Sequence, residues 1–223
     1  MPTHSEQICT HFNGCKFSTE FKNNIDEFFK NSKNLTHLQY FAVSEKLNNK
    51  NILDEFKNQI DEIWDNSQNL LIKFVIKSIS DMIYFLNSEN LEFKNIKFAS
   101  GETHNGKKSV LIFEINKNKF VYKPYSCSYL PVLNESFNIL KVNLKYELEI
   151  FPKILMQNDS FTIVKFIKTQ NEINLEKAYY AIGVVLGFAT AFRITDLHSE
   201  NILFNNDNLY ILDSESCFFR DKF

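Results

Sequence analysis

The sequence predicts an α+β fold in which helices and strands are gathered in runs, not an alternating βαβ sheet. Three observations carry this reading. Apolar residues recur at helical spacing through most of the first hundred residues. The period shortens to that of strands near residue 110. A long apolar helix then stands alone between two short strands near the C-terminal end.

The elements follow in order. Phe21, Ile25, Phe28 and Phe29 fall on one helical face. Leu71, Phe74, Val75, Ser78, Met82 and Phe85 do the same, with Ser67 placed to cap that helix. Residues 110–115 and 120–122 are short β-favouring runs, and Asn116-Lys117-Asn118 between them predicts a hairpin. A helix is expected over 134–151, ended by Pro152, which cannot donate to a helical ladder. Residues 161–167 read as a strand. Residues 175–192 read as a nearly all-apolar helix, expected to be buried. A polar loop follows over 196–201, then a strand over 209–212. The organisation predicted is a helical region, 1–94, followed by a core over 95–223.

Composition sets bounds on function. The chain has 223 residues, enough for one ordinary domain or two small lobes. With 44% hydrophobic and 23% charged residues it has the composition of a globular protein. Lys+Arg is 25 against Asp+Glu 27, a net charge of −2. That balance argues against general binding to nucleic acid or to anionic membranes, which needs excess positive charge. The longest apolar stretch, 179–192, is shorter than the ~20 residues of a membrane span, so no transmembrane segment is expected. No secretory signal is visible, and Cys9, Cys15, Cys127 and Cys217 form no disulfide-rich framework. A cytoplasmic setting is therefore expected.

Four polar clusters hold residue types suited to chemistry. Gly101-Glu102-Thr103-His104-Asn105-Gly106-Lys107-Lys108 contains G-x-x-x-x-G-K, yet it is not a P-loop. Lys108 stands where a Ser or Thr must ligate Mg²⁺, and a strand, not a helix, follows. On its own the segment reads as a surface turn. Val121-Tyr122-Lys123-Pro124 puts a lysine at the end of an apolar strand, where most lysines are simply solvated. The third cluster is the most informative: Asp196-Leu197-His198-Ser199-Glu200-Asn201, then Asp213-Ser214-Glu215. An Asp that can orient a hydroxyl is followed by an Asn and a post-strand Asp that can hold Mg²⁺ through hard oxygens. Phosphoryl transfer needs this set of parts. His4, Cys9, His11 and Cys15 are zinc-compatible in type, but their spacing fits no metal frame, and they are read as structural.

Taken together, Gly101 to Gly106, Val121 to Pro124, Thr195 to Asn201 and Leu212 to Glu215 resemble the dehydratase domain of class II lanthipeptide (lantibiotic) synthetases, the LanM type. The resemblance covers roughly residues 95–220. It implies a protein/lipid-kinase-like fold, represented by its small lobe and catalytic loop, with a helical N-terminal region and an incomplete large lobe. It implies ATP and Mg²⁺ as cofactors and a precursor peptide as partner. The implied reaction is phosphorylation of Ser and Thr in that peptide, followed by phosphate elimination.

The resemblance also implies roles. Lys123, with Gly101 and Gly106, would hold ATP phosphates. Asp196 would orient the peptide hydroxyl and His198 would support charge in the transition state. Asn201, Asp213 and Glu215 would hold Mg²⁺, and Glu102 and His104 would assist elimination. Two positions depart from the family pattern. Glu102 stands where the family usually has Asp, and Tyr125 stands where Arg usually follows Y-K-P, so a bidentate phosphate contact is lost. The chain ends ten residues after Asp213. From this a second chain supplying the rest of the synthetase is expected, with a non-catalytic or regulatory module and a lipid-kinase-like phosphotransferase without elimination as the alternatives.

Overall fold

The computed structural model describes residues 2–44, 50–88, 90–99, 109–169, 174–205, 208–214 and 217; side chains are described outside 33–61, 63 and 64. The chain divides into two compact units, Met1–Pro124 and Tyr125–Phe223.

The first unit opens with α1 (His4–Cys9), started by a capping box in which Thr3 and Glu6 satisfy each other's backbone N–H. A two-residue strand β1 (Lys16–Phe17) leads into α2 (Thr19–Ser44), where the Ser18 hydroxyl accepts the Phe21 N–H. Then come α3 (Lys50–Leu86), β2 (Glu92–Phe98), β3 (Leu111–Ile115) and β4 (Asn118–Lys123). The strands lie in the order β1-β2-β3-β4, with β1 parallel to β2 and the rest antiparallel.

The expected hairpin is present. Asn116 and Lys117 both take positive φ, 49° and 77°, as a two-residue turn matching strand twist requires. The Asn116 side chain also accepts the Glu92 N–H, tying the turn to β2. The first hundred residues are mostly helical, as expected, with β1 and β2 added among the helices. One expectation for this half needs correction. Ser67 is not a cap, because α3 begins at Lys50 and Ser67 sits buried within it.

One face of this sheet is packed, and the other carries the Ile112–Val121 and Glu114–Lys119 pairs. Leu111, Phe113 and Ile115 alternate into the core. Phe93 meets Phe17, Phe21 and Phe113 at ring distances of 5.2, 5.7 and 6.2 Å. From β4, Phe120 lies 5.5 Å from Phe85 of α3, and the Tyr122 hydroxyl donates to Asp81 one turn earlier on that helix, at 2.7 Å. Between them in sequence, Glu114 and Lys119 pair at 3.4 Å while remaining partly exposed.

The second unit contains α4 (Tyr129–Lys141), β5 (Ile154–Gln157), β6 (Thr162–Lys165), α5 (Leu175–Phe192), β7 (Ile202–Asn205) and β8 (Asn208–Ile211). β5 pairs with β6 and β7 with β8, both antiparallel. Phe188 of α5 is the hub of the core, meeting Phe137 at 5.5 Å, Phe151 at 5.9 Å and Phe192 at 4.4 Å.

The helix expected over 134–151 is displaced. It begins at Tyr129 and stops at Lys141, where Asn143 and Leu144 turn back with i→i−3 bonds to Leu140 and Lys141. Beyond it Leu148 and Ile150 are buried at the alternate spacing of extended chain, and the Ile150 carbonyl accepts the Ile211 N–H. α5 is where expected, but its burial is one-sided. Ala178, Ala181, Val185, Phe188 and Ala189 are buried, whereas Leu175, Tyr179 and Leu186 are 70%, 72% and 56% exposed. Among the described residues α5 is the one helix long and apolar enough to cross a membrane by length and composition.

Candidate functional site

The most clearly built polar cluster lies where α5 hands the chain to the β7–β8 hairpin. Arg193 closes α5 in a left-handed conformation, φ 51°, and Ile194 donates back to the Ala189 carbonyl at 2.8 Å. This is a Schellman ending, and the buried Ile194 pins it. The chain emerges at Asp196, itself left-handed at φ 63°. Such a backbone is uncommon outside glycine but is tolerated best by Asp and Asn.

The loop then closes on itself. His198 N–H donates to the Asp196 carbonyl and Asn201 N–H to the His198 carbonyl, at 3.1 and 2.9 Å. The Asn201 side-chain nitrogen lies 3.0 Å from the Asp196 carbonyl, 3.4 Å from its carboxylate Oδ2 and 3.0 Å from His198 Nε2. Those contacts occupy the amide nitrogen and leave Oδ1 as the acceptor of that side chain. His198 Nε2 is 3.7 Å from the other Asp196 carboxylate oxygen, and the two side chains are 47% and 70% exposed.

The imidazole contacts compete. Asn201 needs a lone pair on Nε2, and the Glu200 N–H, 3.3 Å from Nδ1, needs one there. A neutral imidazole has only one.

Asp213 reaches this end of the unit through the hairpin. β7 and β8 pair from Asn205↔Asn208 back to Ile202↔Ile211, and Leu212 N–H adds a bond to the Asn201 carbonyl at 2.8 Å. Asp213 therefore follows directly on the residue bonded to Asn201, although twelve positions separate the two in sequence. The strand expected over 209–212 ends at Ile211, and β7 was not anticipated. The hairpin is held to the unit by Tyr210, whose hydroxyl donates to Glu149 at 3.0 Å. Burial, and then that hydrogen bond, push the Tyr210 hydroxyl up to about 12, so it stays a donor.

Of the predicted site residues, Asp196, His198 and Asn201 are thus in mutual contact, with Asp213 beside them along the ladder. Lys123 belongs to the first unit. It is 6% exposed, unlike the solvated lysine that its strand-end position suggests. Gly101, Glu102, His104, Gly106 and Glu215 lie outside the described residues. Among the described residues no three His, Cys, Asp or Glu side chains gather as a metal-binding group. His4 instead stacks on Phe29 at 4.3 Å, in keeping with a structural reading of the N-terminal His and Cys residues. All four cysteines are free.

One residue outside the motifs went unnoticed in the sequence. Asp81 is an acid within the apolar stripe of α3, and a half-buried acid needs a partner. Tyr122 supplies it. That misplaced charge was the available signal.

The described chain is thus a mixed α+β protein whose polar loop, between an apolar helix and a hairpin, gathers Asp, His and Asn. The family described as Domain of unknown function (DUF4135) matches residues 30–222, and the chain belongs to that family. Over 128 residues it is 30% identical to the lacticin 481/lactococcin biosynthesis protein LcnDR2 of Lactococcus lactis subsp. lactis. That match covers 53% of this chain and 14% of the relative, so the chain spans a small part of that protein's length. The resemblance to LanM-type synthetases drawn from the polar clusters is borne out by these two matches.

Proposed function

We propose that the chain contributes to lantibiotic biosynthesis as part of a LanM-type dehydratase, on a protein/lipid-kinase-like fold, phosphorylating Ser and Thr of a precursor peptide and then eliminating phosphate. The observation that carries the reading is the Asp196–His198–Asn201 loop, joined to Asp213 by the β7–β8 ladder. The family match and the lacticin 481/lactococcin relative support it.

The donors fit Mg²⁺. Asn201 Oδ1 and the Asp213 carboxylate are hard oxygens, and Mg²⁺ sites commonly take one or two carboxylates and fill the remainder with water and phosphate oxygens. Bound there, Mg²⁺ would neutralise the charge on the ATP phosphates. Asp196 accepts the proton of the Ser or Thr hydroxyl as its oxygen bonds the γ-phosphorus and the bond to ADP breaks. His198 supports charge developing on the phosphoryl oxygens. Lys123 holds phosphate oxygens by charge, with Gly101 and Gly106 offering backbone. In elimination a base takes the α-proton, the Cβ–O bond breaks, and phosphate leaves dehydroalanine or dehydrobutyrine; Glu102 and His104 are assigned there.

Mass spectrometry of a precursor peptide incubated with the protein, ATP and Mg²⁺ tests the proposal. A loss of about 18 Da per residue marks completed dehydration, and a gain of about 80 Da marks transfer alone. Unchanged peptide, together with no heat from Mg·ATP titration of the wild type, overturns it. Transfer alone is the second reading, a lipid-kinase-like phosphotransferase. Tyr125 favours it, because it replaces the guanidinium that would grip a departing phosphate.

A further inference from the structure

β4 meets α3 through two residues on one strand face. Phe120 packs on Phe85, and Tyr122 bonds Asp81. Phe85 and Asp81 are four apart on the helix and Phe120 and Tyr122 two apart on the strand, so the two periodicities are matched. Tyr122 is also the last β4 residue in register with β3, opposite Leu111, and its ring meets Phe113 at 6.3 Å. Lys123 is the next residue. Successive strand side chains point to opposite faces, so whatever fixes the face of Tyr122 fixes the face of Lys123.

The contact is strongly built. Tyr122 is 1% exposed, and its hydroxyl is 2.7 Å from Asp81 Oδ2. The same oxygen accepts from Lys77 Nζ at 2.7 Å, which helps to aim the carboxylate. Hydrogen bonds to a charged acceptor are worth about twice neutral ones. Burial first, and Asp81 second, push the Tyr122 hydroxyl far above its ordinary range, so it remains protonated as the donor.

We propose that Asp81, acting through Tyr122, is a positioning residue for Lys123. It deepens the reading of Lys123 as a phosphate-holding lysine and rests on that reading only for its consequence in nucleotide binding. The tether itself can be tested without nucleotide.

The test is site-resolved acylation of lysines, followed by mass spectrometry, with exposed Lys119 on the same strand as internal reference. Tyr122→Phe and Asp81→Asn are expected to raise the Lys123/Lys119 labelling ratio about tenfold, the factor for one lost hydrogen bond to a charged group acting on local opening. Asp81→Glu, which keeps the carboxylate, should restore the wild-type ratio. Phe93→Leu, which loosens the core of the same unit elsewhere, should leave the ratio unchanged when compared at equal stability. Circular dichroism confirms that each variant folds. An unchanged ratio in Tyr122→Phe and Asp81→Asn overturns the proposal, as does an equal rise in Phe93→Leu. Calorimetry with Mg·ATP separates the two layers. Wild-type affinity in Lys123→Ala refutes the phosphate role, while labelling still decides the tether. Lost affinity in Lys123→Ala with intact affinity and labelling in Tyr122→Phe refutes the tether alone.

Discussion

Asn201 holds Asp196 by its main chain: the side-chain amide nitrogen lies 3.0 Å from the Asp196 carbonyl. The same nitrogen meets His198 Nε2, so one carboxamide sets both the backbone turn and the imidazole. The left-handed backbone at Asp196 is kept in place by that bond and by His198 N–H.

Replacing Asn201 therefore separates local order from global stability. Asn201→Ala removes an exposed, neutral hydrogen-bonding group, so unfolding free energy should fall by about 1 kcal/mol. Amide exchange over residues 196–200 should rise much more than over β8. Asn201→Asp should be worse than Ala, because it faces a carboxylate oxygen toward the Asp196 carbonyl and Oδ2. Exchange followed by mass spectrometry checks both, and Asp performing better than Ala would show the amide nitrogen is not the group that matters.

A pH-dependent contact steadies the start of α5. Lys145 and then Tyr146 hydrogen-bond Glu176, at 2.9 and 2.7 Å, and hold its carboxyl below the ordinary 4.5. A folded-state value lowered in this way contributes stability above the ordinary value, and that contribution is lost as pH falls through the lowered one. Glu176→Gln should lower the Tm slightly at neutral pH, with the gap closing as the pH drops below 4.5 and shrinking in salt because the pair is exposed. Thermal melts across pH 3–7 check this; a gap that ignores pH would assign the effect to packing.

How far the fold was legible follows from what fixed each element. The β3–β4 hairpin showed in the sequence because Asn116-Lys117 has the local chemistry of a left-handed turn. The Asp196-to-Asn201 loop showed because its residue types and spacing are chemical. β2 did not show. Its buried residues, Phe93 and Ile96, break strict alternation at a register shift between Phe93 and Asn95. β1 has two residues and exists only through β2. The early end of α4 was hidden because the chain after Lys141 stays apolar enough to continue a helical pattern, while its backbone partner, Ile211, lies sixty residues away. Such long-range pairing overrides local propensity.

Cys9 offers a check on the first unit. Burial raises its thiol from 9.0 to about 11, Lys22 pulling down and Asp26 pushing up by less. At pH 8 the thiolate fraction is then about a hundredfold below that of an ordinary thiol, and alkylation should slow correspondingly. Urea should restore the ordinary rate. Rapid alkylation of Cys9 in the folded protein would place α1 away from α2.

α5 should respond to substitution according to face. Phe188 is 4% exposed and meets three aromatic rings, so Phe188→Ala should cost about 3–5 kcal/mol. Leu186, two positions earlier, is 56% exposed, and Leu186→Lys should change stability by no more than about 0.5 kcal/mol. Because Leu175, Tyr179 and Leu186 leave apolar surface in water, the same substitution should reduce fluorescence of an apolar dye bound to the folded protein. Urea melts and dye titration decide it together. If Leu186→Lys is as damaging as Phe188→Ala, the outer face of α5 is covered in the working protein, and the helix is buried all round as its composition alone suggests.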